Sequence, residues 1–230
     1  MAIATSTATF IGRYWFGIAP SFNIPQLAPL PIDATAALAL CLYTLLGAIV
    51  GVAAATFVRG LYFTEDLFEK IPGNYGRHML GMLMVGVIIY GVHQAFGQYY
   101  IGGVGYATDQ AILFGQLTGA AILFLLFFCE LFATCVTLGS GSSGGIFSPA
   151  LYMGATFGSG FATVLNTLHL PMTLNIPSFA VVGMAAMVRR HRRGADGDHD
   201  AFRNDPRLRH RLADDSGGGG ERRREAALIA

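Results

Sequence analysis

The chain has 230 residues, of which 53% are hydrophobic and only 13% are charged, with a formal net charge of +1. The charges are unevenly distributed, because residues 1–187 contain four basic and six acidic residues and the last 43 residues contain all the others. So few charges on so much apolar sequence exclude a water-soluble domain in residues 1–187 and predict contact with lipid.

Residues 1–17 have the pattern of the second half of a membrane span. The apolar run starts at the first residue and ends in a belt of Arg13 and aromatic residues. A proline-rich connection follows in residues 18–33. We therefore expect the chain to begin inside a span whose first half is missing.

Three uncharged runs then reach or approach the roughly 20 residues that a helix needs to cross a bilayer. They lie at residues 34–58, Met79–Phe96 and Ala111–Cys129. The first run continues as an amphipathic segment to Lys70, before the turn signal Pro72-Gly73-Asn74. The third is expected to continue to about residue 138 as one span. These runs predict a polytopic α-helical membrane protein.

From Leu131 to Val188 the chain contains no Asp, Glu, Lys or Arg, although Gly, Pro and Ser interrupt the run. It is too long and too interrupted for one straight helix, so we expect several short or broken helices. The last of them begins with Pro177 and Ser178 and reaches only about 18 Å by Val188.

The character of the sequence changes at Val188. The remaining segment is rich in arginine and acidic residues and contains Phe202 as its only aromatic residue. Because it cannot bury enough apolar surface to fold, we predict a disordered tail in residues 188–230 after a membrane domain in residues 1–187. A polybasic membrane anchor is disfavoured because the acids nearly cancel the arginines. A lost reading frame explains the tail better, and the membrane domain would then be truncated at both ends.

A glycine-rich loop precedes the apolar helix that starts near Pro149. Residues 139–145 are all glycine or serine, which lets the backbone bend sharply and leaves its amides unobstructed. Pro149 suits the first turn of a helix. A helix start offers about four N–H groups without intrahelical partners and roughly half a positive charge from the dipole. The pattern therefore predicts an anion site inside the membrane.

The motif Gly145-Ile146-Phe147-Ser148-Pro149 resembles the G-x-F-x-P selectivity-filter motif of the CLC family of voltage-gated chloride channels and chloride/proton antiporters. Its flanks, LGSGSSGG and LYMGATFG, are similar to that family as well. So are GGVGYATDQAI at residues 102–112 and SFAVVGMAAM at residues 178–187. The resemblance covers about residues 1–187.

The resemblance implies an all-α fold of broken, tilted helices in inverted repeats, and a homodimer with two pores. It implies transport of chloride or a similar small anion through the bilayer, as a channel or an antiporter, in the bacterial inner membrane. The chain has no GSGIP-type motif, which supplies a serine ligand, and no GREGP-type motif, which supplies the gating glutamate. The sequence therefore leaves three questions open. They are whether the protein is a channel or an antiporter, whether it carries chloride or nitrate, and whether it is active or an inactive remnant.

For the site, the resemblance implies that the amides of Ile146 and Phe147 contact the central chloride while Gly144 and Gly145 shape the loop. The predicted anion-binding residues are Gly145, Ile146, Phe147, Ser148 and Pro149, and the predicted filter loop includes Ser140, Gly141 and Gly144.

Four other side chains are candidates for a role in the membrane. The sequence leaves two roles open for two of them and places the other two at the membrane interface. Glu130 is a carboxylate inside an apolar stretch, where the CLC family often has a basic residue, and it serves either helix packing at an interface or proton transfer. Phe147 either lines the pore or anchors the loop. His93 and Tyr106 are expected at the membrane interface.

Other functions have little support in the sequence. GSGSSGG lacks the GK[ST] ending of a phosphate-binding loop, so we expect no enzyme. We also expect no cofactor, no metal ion and no nucleic-acid partner. Cys41, Cys129 and Cys135 lie in apolar segments without CxxC spacing, and we expect buried, inert thiols.

Overall fold

The computed structural model describes residues 2–17, 34–168 and 173–189. These ranges contain seven α-helices and no strand, which confirms the predicted all-α fold. The helices are α1 (Ala2–Phe16), α2 (Ala34–Glu69), α3 (Asn74–Phe96), α4 (Tyr106–Leu113), α5 (Ala120–Gly139), α6 (Phe147–Thr167) and α7 (Ile176–Arg189).

Three of the described helices are long and apolar enough to cross a membrane. They are α2 from Ala37, α3 and α5. The predicted spans that start at residues 34 and 79 are thereby confirmed as helices. With 36 residues, α2 is about 54 Å long and exceeds the roughly 30 Å of a hydrocarbon core. Its last turns, where Glu65 and Asp66 are exposed, therefore extend beyond that core.

One face of α3 exposes large apolar side chains. Met79, Leu83 and Val87 follow each other at intervals of four residues and are 73%, 65% and 63% exposed. Side chains four apart share one helix face, so they form a continuous apolar stripe. Such a stripe suits apolar surroundings rather than water.

The expected span from residue 111 to about 138 is wrong at its start. Helix α4 ends at Leu113, and α5 begins only at Ala120. Gly115 has a left-handed backbone with φ +68, and its amide bonds back to the carbonyl of Ile112 at 3.0 Å. A left-handed glycine after the last turn ends a helix, so hydropathy alone joined two separate elements.

Helix α5 is the centre of the described bundle, because it packs against α2, α3 and α6. One buried cluster joins Phe57 of α2, Phe127 of α5 and Met153 of α6. A second joins Ile112 of α4 to Tyr152 of α6. Helix α6 is therefore fixed on several sides at once.

The uncharged stretch from residue 131 is broken into helices as predicted. It contains the end of α5, all of α6 and all of α7 except its last residue, with Pro177 in the first turn of α7. Helix α7 is shorter than the roughly 20 residues that a span requires. It includes Val188 and Arg189, two residues past the predicted domain boundary.

Some predictions fall on other parts of the chain. The proline-rich connection and residues 190–230 of the predicted tail lie outside the described residues, so both stay predictions. All three cysteines are free. Cys135 is buried and Cys129 is half-buried, whereas Cys41 is exposed, so the prediction of a buried thiol is wrong for Cys41.

Candidate anion-binding site

The loop between α5 and α6 starts by closing the end of α5. The amides of Ser140, Gly141 and Ser142 donate to carbonyls of the last turn, at 2.9, 3.0 and 3.2 Å. Gly141 has φ +87, in the left-handed region that favours glycine, whereas Gly144 and Gly145 have no positive φ. The sharp bend of the loop is therefore at Gly141, and the later glycines leave the backbone uncovered.

Helix α6 begins without a cap. Within the part of the chain that the structure describes, no side chain bonds to its N-terminus, and the first backbone bond runs from Ala150 to Ile146 at 3.1 Å. The amides of Ile146 and Phe147 have no acceptor there, and Pro149 has no N–H to satisfy. This helix start keeps free donors at the positive end of a 21-residue dipole.

The hydroxyl of Ser148 has a partner in the protein, unlike the amides beside it. Its hydroxyl donates to the carbonyl of Val104, in the glycine-rich segment before α4. A serine has one proton to donate, so this hydroxyl is engaged with the protein. Ser148 therefore ties the start of α6 to that segment.

A cavity of about 440 Å³ lies beside this loop. It is bordered by α3, by residues 101–104, by α5 and by the loop itself. Of the predicted site residues, the structure brings Gly144, Gly145, Ser148 and Pro149 to its wall. Ser140, Gly141, Ile146 and Phe147 are not among its lining residues.

Phe147 stands clear of the described core, with 58% of its side chain exposed. Among the described residues it belongs to neither buried apolar cluster, and its two roles stay open. Its backbone still forms the first residue of α6.

Glycines fix the position of α6. A Cβ added at Gly154 would lie 2.5 Å from Cα of Met184, and one at Gly158 would come closer than 3.0 Å to the carbonyl oxygen of Phe179. Both contacts are with the backbone of α7, so any side chain would push the helices apart. Gly183 of α7 makes the reciprocal contact with Gly154.

Glu130 lines the same cavity, where it is half-buried. The hydroxyl of Thr134, one turn later, donates to its Oε1 at 3.4 Å. Glu130 and Thr134 therefore lie together at the wall of this cavity. His93 is half-buried at the end of α3 and stacks on Tyr99 with ring centroids 4.1 Å apart, and Tyr106 is 36% exposed.

The sequence interpretation missed Asp109. This residue lies in α4, outside the three spanning helices, with no exposed surface. Burial first, and then the charge of Glu130, raises the pKa of Asp109 to about 7. The sequence signal for this residue was a single acid in a short segment with almost no other charge. Recognising it required knowing that the helix ends near Gly115.

Long apolar helices combined with interrupted ones define a polytopic α-helical membrane protein built around broken helices. The family model described as "Voltage gated chloride channel" matches residues 1–189. The chain therefore belongs to the voltage-gated chloride channel (CLC) family.

Curated relatives carry the name "H(+)/Cl(-) exchange transporter ClcA". The protein from Vibrio cholerae serotype O1 is 34% identical over 169 residues, which cover 73% of this chain and 33% of the relative. The protein from Yersinia pestis bv. Antiqua is 28% identical over 187 residues, which cover 80% of this chain and 37% of the relative. The chain thus spans about a third of the length of the curated relatives that it matches.

Proposed function

We propose that the intact protein transports chloride across a membrane, as a channel or a chloride/proton exchanger, and that this chain supplies backbone amides that bind the ion. The uncapped start of α6, with its loop beside the cavity, carries this proposal. The name of the relatives supports chloride as the transported ion and a proton as its counterpart.

The amides of Ile146 and Phe147 are the proposed ligands. In a low-dielectric interior, free N–H groups at a helix start attract an anion without a full positive charge. Among the described residues that line the cavity there is no Lys, Arg or His. Conduction requires binding that is strong enough to replace water and weak enough to release the ion, and a partial charge meets both conditions.

The rest of the motif shapes and positions this site. Gly144 and Gly145 keep the approach to the amides free of side chains, and a Cβ at Gly145 would meet nothing within 4 Å. Ser148 and Pro149 set the direction of the first turn of α6. The glycines of α6 set its distance from α7.

The assembly and location follow the family. The intact protein forms a homodimer with one pore per subunit and resides in the inner membrane of a bacterium, since the relatives are bacterial proteins. It carries out transport and no covalent chemistry. Exposed apolar faces such as that of α3 meet lipid or the remaining helices of the protein.

An amide-to-ester substitution at Phe147 in the intact protein tests the proposed ligand. The ester removes one N–H and leaves the side chain, and a hydrogen bond to a charged partner contributes about 1.5 to 3 kcal/mol. Chloride affinity measured by calorimetry should fall roughly 10-fold to 150-fold.

A matched control is the same substitution at Tyr75, which lies in the first turn of α3 and is 90% exposed. That ester should leave chloride affinity unchanged. Equal affinities for the Phe147 ester and the unmodified protein would remove Phe147 as a backbone ligand. No chloride binding by the unmodified intact protein would favour an inactive remnant.

A further inference from the structure

A second cavity lies between the three helices that are long enough to cross a membrane. Its volume is about 300 Å³, and it is bordered by the end of α2, by α3 and by the second half of α5. Its described lining residues are apolar except Thr64, and none of them lines the cavity beside the filter loop. The hydroxyl of Thr64 donates to the carbonyl of Cys135 at 2.9 Å, so it is not left for a ligand. The lining therefore suits an apolar ligand.

This cavity has a buried wall and an open side. Phe68, Cys135 and Val136 form the buried wall and are 4%, 2% and 1% exposed. Phe63 and Leu80 border the cavity as exposed side chains. Apolar cavities of about 150 Å³ already stay dry and bind apolar molecules. Because the open side lies on helices that can span a membrane, lipid rather than water reaches it.

The cavity is elongated along α2. On this side it is lined by Gly60, Phe63, Thr64 and Leu67, and by Ile71 just after the helix ends. Residues at such intervals share one helix face, and the stretch covers about 16 Å. One end of the cavity lies at the turn between α2 and α3, and the other lies nearer the middle of α2. This shape fits an acyl chain that enters from the membrane interface.

Two basic side chains lie on the same helix faces as the cavity wall, at its interfacial end. Lys70 follows Phe63 by seven residues and Arg77 precedes Met84 by seven, which is about two helical turns. Arg77 donates one N–H to Oδ1 of Asn74 at 2.6 Å, and a guanidinium has five. Among the described residues, neither cation forms an ion pair.

The acidic residues nearby lie on the other side of α2. Glu65, Asp66 and Glu69 fall between the positions that face the cavity, and none of them lines it. The charge at the interfacial end of the cavity is therefore positive. Basic side chains at the end of a membrane helix attract anionic lipid headgroups.

We propose that this cavity binds one acyl chain of an anionic phospholipid, whose phosphate group contacts Lys70 and Arg77. The chain enters between Phe63 and Leu80 and reaches the buried wall at Cys135. Because α5 leads into the filter loop, the bound lipid supports the helix that carries this loop. The site needs no bound anion at the filter, so it can be correct even where the proposed chloride site is not.

Photo-crosslinking of the 230-residue chain in phosphatidylcholine vesicles tests this site. The probe is a trace of phosphatidylglycerol with a diazirine near the end of one acyl chain, and mass spectrometry locates the attached lipid. The label should attach to the buried wall, at Phe68, Cys135 or Val136, which lipid outside the chain does not reach. The same diazirine on phosphatidylcholine should label this wall less, by roughly 5-fold for each basic side chain.

Two kinds of variant test the two parts of the site. Leu67→Trp fills the open side and should abolish the label on the buried wall. Leu45→Trp is its matched control, because Leu45 is equally exposed on α2 and does not line the cavity. Lys70→Gln and Arg77→Gln should each lower labelling by phosphatidylglycerol about 5-fold and leave that by phosphatidylcholine unchanged. Arg59→Gln, at an exposed position of α2 outside the cavity, should change neither.

The other outcomes contradict the proposal. A label confined to exposed side chains such as Leu83 shows only the lipid that surrounds the chain, and it overturns the acyl-chain site. Equal labelling by the two headgroups overturns the contact with Lys70 and Arg77. If dimers of the chain lose the label that monomers carry, a second copy covers the cavity instead. Should Leu67→Trp fail to fold by circular dichroism, the two glutamine variants decide, because both replace side chains outside the buried clusters.

Discussion

Helix α6 has two sides that are built in different ways. Toward α7 it presents Gly154 and Gly158, and the two backbones touch without intervening side chains. Toward α4 and the segment before it, α6 presents hydroxyl groups, with Ser148 on the carbonyl of Val104 and Tyr152 on that of Tyr100. The glycine side fixes the distance of the helix, and the hydroxyl side fixes its direction.

The two sides should therefore respond to different perturbations. The described residues that form the glycine contact include no titratable side chain, so added volume should disrupt it and pH should not. Helix α4, which packs on α6, carries the buried Asp109, so the stability of this side should depend on pH. Both are needed to hold the start of α6 beside the cavity.

The largest expected effect is on the hydroxyl side, with Asp109→Asn. The pKa of Asp109 is raised from 3.8 to about 7 in the folded chain, so the folded state keeps a proton that the unfolded chain releases. The stability of the unmodified chain should fall as the pH rises through this window, by roughly 4 kcal/mol in total. The variant cannot ionise and should not show that fall.

Denaturant unfolding in mixed micelles, measured across the pH range, checks this difference. The amide side chain of the variant also buries polar atoms, which adds an offset that does not change with pH. Asp66→Asn, at an exposed position of α2, should follow the unmodified chain. Parallel pH profiles for the chain and the Asp109→Asn variant would contradict the raised pKa.

A smaller effect is expected on the glycine side, with Gly158→Ala. The new Cβ would press on the carbonyl oxygen of Phe179, and backbone cannot rotate away as a side chain can. Overpacking of this kind destabilises by about 1 to 3 kcal/mol. Thermal unfolding should show the loss equally at acid and neutral pH.

Gly86→Ala is the matched control for that substitution. Gly86 lies in α3, and a Cβ there meets nothing within 4 Å. Because alanine favours a helix over glycine by up to about 1 kcal/mol, this variant should be as stable as the chain or slightly more so. Equal effects of the two substitutions would show that α6 and α7 are not in backbone contact.

The sequence predicted the parts of this arrangement that depend on local pattern. Uncharged runs located α2 and α3, and Pro177 located the start of α7. The run of glycine and serine located the loop, and within that run the bend falls on Gly141. The sequence shows which residues can adopt a left-handed backbone. Which of these glycines does so depends on the positions of the ends of α5 and α6, which tertiary packing determines.

The sequence pattern did not predict the tertiary contacts. The break between α4 and α5 lies in a stretch apolar enough to be read as one span, and the left-handed Gly115 ends the first of the two helices. The burial of Asp109 follows from that break, since the short α4 can turn onto α6. The bond from Ser148 to Val104 joins residues 44 apart in the sequence, which no local spacing indicates.

The smallest expected effect concerns this bond, with Ser148→Ala. Loss of one neutral hydrogen bond should destabilise the chain by about 0.5 to 1.5 kcal/mol. The value should lie near the lower end, because Val104 is 52% exposed and its carbonyl can bond to water instead. Thermal unfolding of the chain in detergent measures the change, and Ser143→Ala serves as the control because the hydroxyl of Ser143 has no partner among the described residues.

The same variant separates a positioning serine from a serine that binds the anion. If Ser148 only directs the first turn of α6, Ser148→Thr keeps a hydroxyl and should restore the stability that Ser148→Ala loses. Chloride affinity of the intact protein should then change less than about 10-fold in Ser148→Ala, since a direct bond to a charged partner contributes about 1.5 to 3 kcal/mol. A larger loss of affinity, without loss of stability, would move Ser148 from the hydroxyl side of α6 into the anion site itself.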